Sequence, residues 1–127
     1  MTLSEELTNP KWYTSNGIEC WDFWIYSEVD PIVASAVKCV WRYRNKNGLE
    51  DLKKALVFLD KASTLDYLYV KSKDVYMLDI SKLPDMTPLQ ILFMTQASLT
   101  VLNGLVYKDC IDNMKLIVNK IIEEEYA

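Results

Sequence analysis

From Pro31 onward the chain alternates apolar stripes at helical spacing with short polar breaks. Val33, Ala36, Val37, Val40 and Trp41 recur at intervals that place them on one side of a helix. Asp30-Pro31 marks its start, because Asp accepts from free N–H groups and Pro suits the first helical position. The spacing predicts a helix from Pro31 to about Asn45. Asn47-Gly48 breaks the pattern, and a second helix is predicted from Leu49 to about Ala62, with Leu49, Leu52, Leu56 and Leu59 as its stripe. Asn47 is placed to cap it, with Glu50 completing a capping box and pairing with Lys54 one turn on. So short a connection predicts an antiparallel helical hairpin over residues 31–62.

Beyond the hairpin the character changes. Leu65–Val70 and Val75–Ile80 are rich in Tyr, Val, Ile and Leu and flank Lys71-Ser72-Lys73-Asp74. That reads first as a small β-hairpin over 65–80, and alternatively as a continuation of the second helix to about Val70. Leu83-Pro84-Asp85 reads as a connector. Thr87-Pro88-Leu89-Gln90 then carries the cap, proline and Gln of another helix start, predicted to run to Leu102 and to stop at Asn103-Gly104. This helix is apolar nearly all round, which places it at the centre of a bundle or in an oligomer interface, so self-association is expected. A fourth helix is predicted from about Leu105 to Glu125, with Tyr107, Ile111, Met114, Val118 and Ile121 as its stripe. Glu123-Glu124-Glu125 puts negative charge at its C-terminal end, where the helix dipole disfavours it, so fraying is expected.

Ahead of Pro31, residues 1–10 read as a loosely attached arm, and Lys11–Gly17 as an ordered loop holding Trp12 and Tyr13. Ile18–Ser27 reads as a short helix whose Trp21, Phe23, Trp24 and Tyr26 form a core or subunit-interface cluster rather than a base-stacking platform. The fold class is therefore mainly α, in one domain over 1–127: a helical hairpin, two further long helices and the small hairpin at 65–80.

Composition narrows the chemistry. Half of the 127 residues are apolar, enough for a core without metal or disulfide. The net charge of −4 argues against a general nucleic-acid binder. The charge is uneven: residues 31–62 hold seven Lys/Arg against three Asp/Glu, and the remainder seven against fifteen. A basic patch on an acidic protein suits a small anion or an acidic partner surface. The chain has no histidine, and Cys20, Cys39 and Cys110 lie far apart, which excludes a Cys/His zinc site, a Ser-His triad and a His general base. Reduced, buried thiols in the cytosol are the expectation. Met1-Thr2-Leu3-Ser4-Glu5-Glu6 is polar and acidic, unlike a signal peptide. Residues 86–107 carry no charge, but their Thr, Gln, Ser and Asn content points to a buried helix and not a membrane span.

Neither G-x-x-x-x-G-K-[ST] nor G-x-G-x-x-G occurs, so any phosphate contact must come from side chains and helix ends. Lys38, Arg42 and Lys46 fall at i, i+4 and i+8, a basic row leading to the start of the second helix. With the N–H groups there they are candidate phosphate ligands. Glu50 and Asp51 are candidate magnesium ligands. The alternative is a solvated basic face that pairs with Glu50 and Asp51 across the hairpin. Arg42, directly after Trp41, stands out as the cation held in place.

Asn9-Pro10-Lys11-Trp12-Tyr13, Gly17-Ile18-Glu19, Ala36-Val37-Lys38-Cys39-Val40-Trp41-Arg42 and Lys46-Asn47-Gly48-Leu49-Glu50-Asp51-Leu52-Lys53-Lys54-Ala55, followed by Phe58-Leu59-Asp60, occur in that order. This series resembles the SaV-like family of small phage proteins, over residues 9–62. Tyr13, Glu19 and Trp41 stand at family-motif positions, while Trp12, Ser35 and Cys39 replace the family's His, Asn and Tyr. Residues 63–127, the helical C-terminal half, fall outside the match. The resemblance implies a phage early protein in the cytoplasm of the infected bacterium, acting by protein–protein contact and sensed by an AbiV-like host abortive-infection protein. It also implies an alternative, since one member is a nucleoside monophosphate kinase. That alternative is a deoxynucleoside monophosphate kinase using ATP and Mg2+, or a non-catalytic nucleotide-binding module.

Overall fold

The computed structural model describes residues 14–15, 18–20, 23, 29–64, 86–100 and 107–126. Four α-helices dominate: α1 (Pro31–Arg42), α2 (Leu49–Thr64), α3 (Pro88–Leu99) and α4 (Tyr107–Tyr126). The protein is mainly α, as its periodicity predicts. Two strands of two residues each, β1 (Thr14–Ser15) and β2 (Ile18–Glu19), pair antiparallel with Thr14 opposite Glu19. Ile18 therefore begins a strand and not the expected helix; Cys20 and Phe23 beyond it are helical. The expected arm at 1–10, most of the loop at 11–17 and the β-hairpin at 65–80 lie outside the described residues.

The caps explain why α1 and α3 start where they do. Asp30 Oδ1 accepts from the Ile32 and Val33 N–H groups, each at 2.9 Å, with Pro31 at the first helical position. Its other oxygen accepts from the Tyr107 hydroxyl at 2.9 Å, so one buried carboxylate ties the start of α1 to the start of α4. At α3, Thr87 Oγ1 accepts from Gln90 N–H at 3.1 Å and Gln90 Oε1 accepts from Thr87 N–H at 2.9 Å, a complete capping box. The amide of Gln90 then donates to the Val40 carbonyl at 3.0 Å, which docks α3 on α1.

Two helix ends differ from expectation. α1 stops at Arg42, and Tyr43–Asn45 form a 3-10 turn. α3 stops at Leu99 and not Leu102, because Thr100 turns both its N–H (3.2 Å) and its hydroxyl (2.6 Å) onto the Ala97 carbonyl. A third difference lies in α4. The helix is continuous through Glu123–Glu125 to Tyr126, and Tyr43 donates to Glu125 at 2.6 Å, giving that charge a partner.

Packing follows the predicted stripes on α1 and α4 and only half of the one on α2. Val33, Ala36, Val37, Val40 and Trp41 of α1 are buried, as are Tyr107, Ile111, Met114, Val118 and Ile121 of α4. On α2 Leu52 and Leu59 of the expected stripe are fully buried beside Asp51, Ala55 and Ala62, while Leu49 and Leu56 are only partly buried, Leu56 at the core's margin. α1 packs chiefly on α2, α2 on α4, α4 on α3, and α3 on α1, so the four helices form a ring around one core. α3 is thus one wall of that ring and not its centre. Leu92 on its outer side is half exposed, while Phe93, Met94 and Ala97 face inward. Phe23 is fully buried and meets Trp41 with ring centroids 6.0 Å apart, which makes Phe23 part of the core. At twelve residues α3 spans about 18 Å, well short of a bilayer's hydrocarbon thickness. None of the described helices is long and apolar enough to cross a membrane.

Candidate functional site

The α1–α2 hairpin carries the chemistry. Arg42, in the last turn of α1, reaches Asp51 in the first turn of α2. Its Nη2 and Nε lie 3.0 and 3.3 Å from the same carboxylate oxygen, Oδ1. The second oxygen accepts from the Asn47 N–H at 3.2 Å. Asp51 is fully buried and Arg42 nearly so. A buried carboxylate with both oxygens engaged satisfies the condition under which ionised groups persist in a core. The role expected of Glu50, reaching back to the N–H ahead of the helix, is thus filled by Asp51.

Glu50 and Asp51 point in different directions. Glu50 is exposed and pairs with Lys54 at 3.5 Å, whereas Asp51 turns into the core. A magnesium ion at Asp51 would have to displace Arg42 or the Asn47 N–H. No group of three or more His, Cys, Asp or Glu able to hold a metal ion occurs among the described residues.

The basic row is only partly kept. Lys38 and Arg42 line an open groove of about 730 Å³ between α1 and α2. Lys46 is exposed and does not line it. The 3-10 turn advances about 120° per residue instead of 100°, and Lys46 itself leaves helical geometry at φ −136° and ψ −95°, so the i+8 register is lost. Lys54 enters the groove from α2 instead, a cation that spacing along α1 could not reveal. In the sequence Lys54 stands out only as the partner of Glu50 one turn away.

Val29, Pro31, Ala34 and Phe58 form the groove's apolar walls. Ser35 also lines it, its hydroxyl donating to the Pro31 carbonyl at 2.9 Å. Cys39 is buried against the groove, and burial raises its thiol above the ordinary value of 9.0 despite the nearby Arg42 charge. Burial likewise raises Cys20, against the pull of Lys38 and Arg42, and Cys110. All three thiols are free and buried. Of the family-motif positions, Trp41 is a core residue, Glu19 lies in β2, and Tyr13 lies outside the described residues.

Raised thiol values fix a pH dependence. The folded protein holds these protons after the unfolded chain begins to release them, so the thiols' contribution to stability is full below about pH 9 and is lost as pH rises beyond it. The effect is largest for Cys20, the most deeply buried of the three, where one pH unit above that point costs roughly 1 kcal/mol. The urea midpoint is expected to drop between pH 8 and pH 10, and to drop less in Cys20→Ala. Equal drops in the two proteins would show that Cys20 does not contribute.

The family model DUF3310, described as a protein of unknown function, matches residues 7–60. That span covers the α1–α2 hairpin as far as Asp60, and so the Arg42–Asp51 pair and every groove residue named above. No curated protein and no solved structure matches the chain.

Proposed function

We propose that the chain is a nucleotide-binding module whose site is the groove between α1 and α2. One observation carries this reading: Lys38, Arg42 and Lys54, from two helices, line a single groove whose other walls are mostly apolar. Phosphate oxygens suit the cations, and the flat apolar body of a base suits Phe58 and Val29. The volume, about 730 Å³, is in the range of small-ligand sites. Within the groove the cations differ in role. Arg42 is oriented by Asp51 and forms a fixed end, while Lys54 is half exposed and able to swing onto a ligand.

Binding without turnover is the form of the reading favoured here over a deoxynucleoside monophosphate kinase. Glu50 and Asp51 diverge, and Asp51 serves Arg42 and Asn47. Contact with an AbiV-like host protein in an infected bacterium is the other expectation of the resemblance. The large apolar side chains exposed among the described residues, Val57, Leu92, Leu116 and Tyr126, are distributed over three helices. Apolar residues exposed singly are ordinary on protein surfaces, so the groove supports a function better than they do.

Titration calorimetry with ATP and with each deoxynucleoside monophosphate tests the reading, beside a chromatographic assay for phosphoryl transfer with magnesium. Binding is expected, weakened about tenfold in Lys38→Ala and in Lys54→Ala, with no diphosphate product. Diphosphate formation would promote the kinase. Absence of binding at millimolar nucleotide would overturn the site.

A further inference from the structure

The α1–α2 turn is held from a distance. Tyr43, at the start of the 3-10 turn, is almost wholly buried, and its hydroxyl donates to Glu125 Oε2 at 2.6 Å. Burial and this bond both raise the Tyr43 hydroxyl well above its ordinary value, which keeps it a donor. Tyr126 follows on α4 and meets the Tyr43 ring edge-on, with centroids 6.5 Å apart. Tyr126 also covers Gly48, where a Cβ would come within 3.1 Å of its hydroxyl oxygen. Gly48 has φ +55°, the left-handed conformation that reverses the chain between the helices. Between these two anchors stands Asn47, whose N–H holds Asp51, which in turn holds Arg42.

We propose that Glu125 and Tyr126 act as a clamp on the α1–α2 turn and so position the Arg42–Asp51 pair at the end of the groove. They are positioning residues, since neither lines the groove. The last turn of α4 thereby controls a site more than 70 residues away in sequence, and α4 does so without touching the ligand. The consequence for binding rests on the nucleotide-binding reading; the clamp itself does not.

Amide hydrogen exchange by NMR tests it in the full chain, with Asn47 and Gly48 as reporters. The Asn47 N–H donates to Asp51 and the Gly48 N–H to the Tyr43 carbonyl at 2.8 Å. In Tyr126→Ala and in Tyr43→Phe these two amides are expected to exchange about tenfold faster. The amides of Phe93 and Met94 in α3 are expected to be unchanged. Unchanged exchange at Asn47 and Gly48 would overturn the clamp, and so would equal acceleration in every helix, which would mean general loss of stability. Affinity for inorganic pyrophosphate, measured on the same variants, is expected to fall with the loosening. Failure of the wild-type protein to bind pyrophosphate would count against the functional reading and leave the exchange result to decide the clamp.

Discussion

Asp51→Ala is expected to destabilise the protein by about 3 kcal/mol, the usual cost of stripping one partner from a buried ion pair. The size follows from the geometry. Asp51 is fully buried, so its removal leaves the Arg42 guanidinium without the oxygen it holds at 3.0 Å, and the Asn47 N–H without its acceptor at 3.2 Å. Arg42 keeps about a tenth of its side chain exposed, and water reaching it there places the cost at the lower end of the range for buried pairs. A double replacement, Arg42→Met with Asp51→Leu, is expected to be far less harmful than Asp51→Ala alone, because no charge is then left buried. The same double variant removes a groove cation, so it is expected to keep the fold and lose nucleotide affinity. Chemical denaturation of the three proteins checks both statements. A loss below 1 kcal/mol in Asp51→Ala would mean that the pair is not buried in solution.

Phe93→Ala is expected to cost more, about 4 kcal/mol, as the transfer loss of a buried ring plus the cavity it leaves. Phe93 lies fully buried on the inner side of α3, the wall that closes the ring between α1 and α4. Leu92→Ala, one residue away on the outer side and half exposed, is expected to cost under 1 kcal/mol. The pair separates the two accounts of α3. A helix at the centre of a bundle or sealed in a subunit interface would make both substitutions costly; a wall of a ring makes only Phe93 costly. Urea midpoints of the two variants decide between them.

The same contrast shows what could be read from the chain. Caps and stripes are local features. Asp30-Pro31 and Thr87-Pro88-Leu89-Gln90 carry their own hydrogen-bonding logic within three residues, and each starts its helix as predicted. The stripes of α1 and α4 are buried residue for residue, because a period of 3.6 leaves only one face on which they can gather. The mainly α class, the helical hairpin and the likeness of its motif to a family are set at this level. A cationic site near the Asn47-Gly48 turn is also visible there, down to Lys38 and Arg42.

Pairings across the fold were decided by tertiary structure. Helical spacing says which residues share a face, not what that face meets. Asp51 and Glu50 look equivalent in sequence, yet a 100° rotation sends one into the core onto Arg42 and the other to solvent beside Lys54. Lys46 continues the basic row on paper, but the 3-10 turn takes it off the groove and Lys54 lines the groove from the opposite helix. Glu125 reads as an unfavourable charge at a helix end until Tyr43, 82 residues away, donates to it. Gln90 reads as half of a cap until its amide finds the Val40 carbonyl, 50 residues away. Periodicity and capping are settled by contacts three or four residues apart, so the sequence alone determines the helices. The groove, the buried ion pair and the clamp depend on which helix packs beside which, and only the closed ring of four helices brings those partners together.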